Sequence, residues 1–322
     1  MSWARVGFCW ALLALVGCGS SSEGGSSAGG SGGVSSGGVG GSLATGGTFP
    51  ATGGSGTGGS AGSAGSGASG GSSATGGASG NFVPACASPC PAAGLSSYPS
   101  SPTVGPTTTD HPPPLHGDLN IKLRNWEPCT SAGCQPKGDV IGFVTYPPDS
   151  VGPDPKAPKL HTLFQPPAAP FLANYRMHDW DWTCGTDGCQ GGLVSGAWEV
   201  TAVTFTTSPG QSLRLPDSGY EIASGGLQAR ALYVDGDSIT LKYTGEDNVV
   251  VGYTLSIVGI CPAPALAQKY AADDAAGRNQ LPALHGGDVI GTACGNATLV
   301  TIRDSGTFMD PRSETDWWQG HP

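Results

Sequence analysis

The sequence predicts a mainly β domain of antiparallel sheet, stapled by disulfides and carried behind a disordered Gly/Ser-rich tether. Three observations lead there. Residues 238–244 (SITLKYT) and 249–259 (VVVGYTLSIVG) alternate apolar and polar side chains with a period of two, the mark of half-buried strands. The cysteines reduce to an even number in a chain that carries an export signal. Only residues 264–277 (PALAQKYAADDAAG) have the punctuation of a helix, with Pro264 at the start and Gly277 at the end.

Taken in order, the chain opens with Arg5 followed by an apolar run over residues 6–16 and then Gly17-Cys18. A short positive region, a hydrophobic run too short to span a bilayer and a small-residue boundary predict a signal peptide over residues 1–17. Leu15-Val16-Gly17-Cys18 resembles a bacterial lipobox, which implies acylation of Cys18 and a membrane partner reached through the lipid. Gly19 stands where an inner-membrane retention aspartate would sit, so the expected location is the cell envelope, at the outer membrane. Residues 18–82 are almost wholly Gly, Ser, Ala and Thr, too poor in apolar side chains to offset the entropy of ordering. A random coil of that composition spans roughly 40–45 Å. Arg5 and Glu23 cancel, so the formal charge of −10 lies on the rest of the chain. Such an acidic domain argues against nucleic acid as a partner.

The folded part is expected as a β-and-loop section over residues 83–190 and a more regular β section over 191–322. The first holds HGDLNIKLRNW (116–126), a strand GFVTY (142–146), KLHTLF (159–164) and ANYRMHDWDW (173–182). The second holds WEVTAVTF (198–205), SLRL (212–215) and LQARALYV (227–234). Asp235-Gly236-Asp237 then makes a tight hairpin, as Asp-Gly does where φ must be positive. Beyond the helix come a turn at Gly286-Gly287-Asp288, a short strand to Gly291, and the strand ATLVTIR (297–303). Residues 308–322 are expected as a loop or short turn carrying Trp317 and Trp318.

Of ten cysteines, Cys9 leaves with the signal peptide and Cys18 takes the lipid. The rest fall as Cys86/Cys90, Cys129/Cys134 and Cys184/Cys189, with Cys261 and Cys294 apart. Their spacing predicts three local disulfides and a fourth between Cys261 and Cys294, whose loop would contribute ~3 kcal/mol in the chain-entropy model. Zinc ribbons are the alternative, against which stand the varying spacings and the export signal.

SPGQSLRLPDSGYEIASGG (208–226), ALYVDGDSITLKY (231–243) and GGDVIGTACGNATLVTIRDSGTFMDP (286–311) succeed one another in an order and spacing of their own. This stretch, about a third of the chain, resembles the lysostaphin/LytM-type zinc endopeptidase domain of peptidoglycan hydrolases. The resemblance implies a β-rich groove. It also implies three zinc ligands and a further histidine, the metal activating water and polarising the peptide carbonyl. The family's H-x-H falls on Leu299 and Thr301, and its Y-x-H region ends at Ser256. No imidazole stands at any of these positions. The resemblance therefore implies a pseudoenzyme without metal or other cofactor, its groove binding peptidoglycan or a wall hydrolase.

Other residues offer other chemistry. His116, Asp118 and His178, with His161, Asp179 and Asp181 nearby in sequence, could join into a metal site serving a hydrolase. Against this, Asp118 reads as a turn residue and His178 as a buried polar side chain. Asp235 and Asp237 suggest calcium but are explained by a hairpin tip. Trp180, Trp182, Trp317 and Trp318, with Trp126, offer aromatic faces for stacking a sugar, or else core packing, so a carbohydrate-binding or structural envelope module is a further reading. No nucleophile elbow, phosphate loop or dinucleotide fingerprint occurs.

Overall fold

The computed structural model describes residues 82, 86, 89–130, 134–147, 152–195 and 198–322. The signal peptide, Cys18 and the tether lie outside the described residues.

The described chain is mainly β. Its strands are β1 (Ser100–Pro102), β2 (Trp126–Pro128), β3 (Phe171–Asp181), β4 (Cys189–Leu193), β5 (Ala202–Thr206), β6 (Ser212–Arg214) and β7 (Leu227–Val234). Then come β8 (Ser238–Lys242), β9 (Tyr253–Val258), β10 (Ile260–Pro262), β11 (Gln280–His285), β12 (Val289–Ala293), β13 (Ala297–Asp304) and β14 (Thr307–Phe308). Helix α1 (Pro264–Ala275) sits between β10 and β11, and the single turn α2 (Glu314–Trp317) comes near the end. An 11-stranded sheet runs β1-β11-β7-β8-β9-β13-β5-β3-β2, with β14 on β13 and β4 on β3, and a 3-stranded sheet runs β10-β12-β6. Every paired strand is antiparallel.

Period-two alternation sorts the large sheet into two faces. Ile239 and Leu241 of β8, Leu255 and Ile257 of β9, and Val300 and Ile302 of β13 enter the main core, beneath α1 residues Leu266 and Tyr270. The opposite face carries Val258, Leu299, Tyr175 and Met177, which pack with Ile121, Trp126 and Phe308. It also carries a polar row. Arg230 pairs with Lys242, Lys242 with Thr254 and Thr254 with Arg303 across β7, β8, β9 and β13. All four are at most 1% exposed, because the chain ahead of β2 lies over them. Thr240 Oγ1 donates to the Leu119 carbonyl at 2.7 Å, and Arg303 grips Asp118 at 2.7 Å.

Two disulfides depart from the expected pairing. Cys129–Cys134 and Cys184–Cys189 form locally, but Cys86 joins Cys294 and Cys90 joins Cys261. The reason is topological. Cys261 faces Thr292 across the β10–β12 ladder, so Cys261 and Cys294 lie side by side at one place in the small sheet. The lead-in segment crosses that place and supplies a partner to each. Three other expectations change. Residues 142–146 form no strand, their one β-type pairing being the Val144–Ser313 bridge. β11 forms between α1 and the Gly286-Gly287-Asp288 turn, where no strand was expected, despite Pro282, whose edge partner β1 spans only three residues. Residues 249–252 belong to a loop, and the second hairpin strand begins at Tyr253.

Candidate functional site

Three separate loops meet beside the covered face of the sheet: residues 105–119, the tip of the β3–β4 hairpin, and the β8–β9 loop. Each is pinned. Thr108 donates its backbone N–H to Asp247 Oδ2 at 2.9 Å and its hydroxyl to the Asp247 carbonyl. Asp247 is wholly buried and is held by Arg278 Nε and Nη2 at 2.8 and 2.7 Å. Arg278 comes just after α1 in the left-handed region at φ 61°, a conformation that turns its guanidinium inward toward the Leu232 carbonyl. The hairpin tip is closed by Cys184–Cys189, and Asp187 on it meets His111 at 3.4 Å.

Between these loops is a cavity of about 410 Å³ lined by Thr108, Asp110, His111, His116, Asp118 and Leu119, and further by Trp182 and the loop residues Asn248, Val249 and Val250. Its size falls within the range of small-molecule sites, ~300–1,000 Å³. Trp182 is 40% exposed. Its indole stacks on His111, with centroids 5.0 Å apart and planes at 23°, and meets the edge of His116 at 4.8 Å. Trp180 braces it from behind at 6.2 Å. Trp180 in turn lies flat over two glycines, for a Cβ on Gly117 or Gly188 would come within 2.3 Å of its ring.

The electrostatics of the cavity are set from its floor. Asp118 Oδ1 accepts from Arg124 Nη2 at 2.6 Å and Arg303 Nη1 at 2.7 Å. Burial alone would raise its pKa, but the two guanidiniums override this and hold the carboxyl at about 2. His116 is 5% exposed, and burial keeps its imidazole neutral by lowering its pKa. Its Nδ1 accepts the backbone N–H of Asp118 at 3.1 Å, which places the ring proton on Nε2. That Nε2 faces Asp110 Oδ1 at 3.6 Å, beyond hydrogen-bond reach.

The expected site residues are thus divided. His116, Asp118 and Trp182 meet in the cavity. His178 does not join them, because its Nδ1 is bonded to the Gly191 carbonyl at 2.9 Å and its Nε2 faces Glu127 at 3.2 Å. Asp118 is occupied by arginines, and among the described residues no group of three His, Cys, Asp or Glu is placed to hold a metal. The expected His116/Asp118/His178 metal cluster is therefore not assembled. Trp317 and Trp318 are each 2% exposed and belong to the core, their indole N–H groups bonded to the carbonyls of Asp310 and Pro311. Trp126 is buried and donates to the Phe82 carbonyl. Ser256, Leu299 and Thr301 line no open groove. They are at most 1% exposed, and Ser256 and Thr301 are register partners under the 116–126 segment. Asp235 and Asp237 both accept from Lys122, a hairpin tip tied down by a lysine.

Sequence reasoning missed Thr108, Asp110, His111 and the 248–250 loop. The available signal was the run Asp110-His111-Pro-Pro-Pro-Leu-His116, two imidazoles and a carboxylate held by prolines of fixed φ. No family model, no curated protein and no solved structure matches this chain. The cavity itself offers an exposed indole and oxygen and nitrogen groups around it, with no serine, cysteine, lysine or arginine among the described residues that line it.

Proposed function

We propose that this protein is a non-catalytic glycan-binding module of the cell envelope, carried on a lipid-anchored tether through Cys18. The observation that supports it is Trp182, an exposed ring braced by His111 and Trp180 at the wall of a cavity rimmed with hydrogen-bonding groups. A pyranose has an apolar face suited to an aromatic ring and an edge of hydroxyls suited to carboxylate, amide and imidazole. Among the described residues no serine or cysteine lines the cavity as a nucleophile, and the Thr108 hydroxyl is spent on Asp247. The resemblance of residues 208–311 to LytM-type enzymes fits the same reading, as a wall-associated domain whose groove positions have become sheet interior.

The test is isothermal titration of the full-length mature chain with oligosaccharides from wall and capsule polymers, alongside a wall-turbidity assay. Trp182→Ala should weaken binding about fivefold, in keeping with ~1 kcal/mol for an aromatic contact, and neither protein should clear peptidoglycan. Undiminished binding by Trp182→Ala would remove the cavity from the reading, and chelator-sensitive lysis would restore an enzyme.

A further inference from the structure

The charges around the cavity narrow the class of sugar. Asp118 is already offset by Arg124 and Arg303. Asp110 is not. Its side chain is 65% exposed, and its neighbours are His111 at 3.9 Å and His116 at 3.6 Å. Since no lysine or arginine among the described residues lines the cavity, an anionic sugar would enter against an uncompensated carboxylate. His116 adds a second demand. It is nine-tenths buried, it lines the cavity, and its Nε2–H has no acceptor within hydrogen-bond distance among the described residues. That N–H therefore opens on the cavity and offers its proton to a ligand oxygen.

A ligand meeting both demands presents a cation to Asp110 and, next to it, an oxygen to His116. We infer that the cavity selects a 2-amino-2-deoxy sugar, its C2 ammonium donating to Asp110, its vicinal hydroxyl accepting from His116 Nε2–H, and its ring lying on Trp182. This rests on the glycan reading above and states which glycan. An N-acetylated sugar loses the ammonium and leaves Asp110 without a counter-charge. A uronic acid meets Asp110 with like charge. A charge-assisted bond is about twice as strong as a neutral one, so the preference for the free amine should be measurable. It should also weaken as salt is added, since Asp110 is exposed.

The experiment titrates the full-length mature chain with β-1,4-linked glucosamine tetramer, its N-acetylated counterpart and a uronic acid tetramer. Spermine is included to register simple attraction to a chain of net charge −10. The glucosamine tetramer is expected to bind at least tenfold more tightly than the N-acetylated one, and the uronate not at all. Asp110→Asn should equalise the first two, and His116→Gln, whose amide can still donate, should retain more binding than His116→Phe. Thermal melts of each variant report whether it is folded. Equal or tighter binding of the N-acetylated tetramer, lost in Trp182→Ala, would overturn the amino-sugar assignment and leave a glycan site. Binding of glucosamine matched by spermine and indifferent to Asp110→Asn would overturn it as surface attraction. Failure of every oligosaccharide would remove both readings.

Discussion

Trp182 can present a face because Trp180 is wedged behind it, and Trp180 can lie there because residues 117 and 188 lack a β-carbon. Gly188 also sits at φ 84°, in the left-handed region where a side chain is strained. Gly117→Ala places a methyl group into the indole and should displace Trp180, destabilising the fold by about 1–3 kcal/mol and weakening ligand binding. A crystal structure or a tryptophan-fluorescence titration of Gly117→Ala would check this. Unchanged affinity would show that the brace is dispensable. Little of this was legible in the sequence. The pair Trp180-x-Trp182 beside Cys184 suggested sugar stacking, but so did Trp317-Trp318, and burial alone separates them. Alternation puts Trp180, near the end of β3, and Trp182, just past it, toward one side of the hairpin. Which side stays open depends on a loop some 70 residues earlier in the chain, and no local pattern encodes that.

The β7-β8-β9-β13 ladder shows how far strand reading goes. LQARALYV, SITLK and ATLVTIRD were legible as strands because one face of each is apolar at every second residue. The other face holds Arg230, Thr240, Lys242, Thr254, Ser256, Thr301 and Arg303, which read as a solvated surface. The structure buries them all, and the Lys242 ammonium finds no hydrogen-bond partner among the described residues. Burial pushes its pKa down to about 8. The unfolded chain keeps that proton to about pH 10.4, so between pH 8 and 10 it binds more protons than the folded chain. Stability should therefore rise with pH across that window. Lys242→Met should abolish the rise and add on the order of 3 kcal/mol at pH 7. Denaturant titrations of both proteins from pH 7 to 9.5 give the comparison, and parallel curves would refute it.

Asp118 also makes stability rise with pH, in an acid window and because the fold favours its charged form. Its folded pKa of about 2 lies below the unfolded carboxylate's ~3.9. Its contribution is present above pH 4 and disappears as pH falls toward 2. Asp118→Asn leaves Arg303 buried with only carbonyl contacts and should cost about 3–5 kcal/mol. It should also loosen the 116–119 turn that forms the cavity floor, so urea melts and ligand titrations should change together.

At the scale of the molecule, sheet class, the one long helix and the local disulfides Cys129–Cys134 and Cys184–Cys189 were readable. The remaining pairing was not. Closely spaced cysteines favour one another only when the chain between them turns back, whereas Cys86 and Cys90 bond instead to Cys294 and Cys261. Proteolytic mapping of the mature protein under non-reducing conditions should recover a peptide joining Cys86 to Cys294 and another joining Cys90 to Cys261. A Cys261–Cys294 peptide would contradict the fold at the β10–β12 ladder.

The Cys86–Cys294 bond has a mechanical consequence. Its partners are 208 residues apart in sequence. Tension applied between the two chain ends crosses at Cys86 directly to Cys294, and the cavity and the large sheet between them carry none of it. A pull between the chain ends thus leaves the loops around the cavity undisturbed. Force spectroscopy through the two chain ends should show only short extensions under oxidising conditions. Reductant should release roughly 700 Å more contour, at ~3.4 Å per residue, so that a shift in redox potential would convert a rigid coupling into a compliant one.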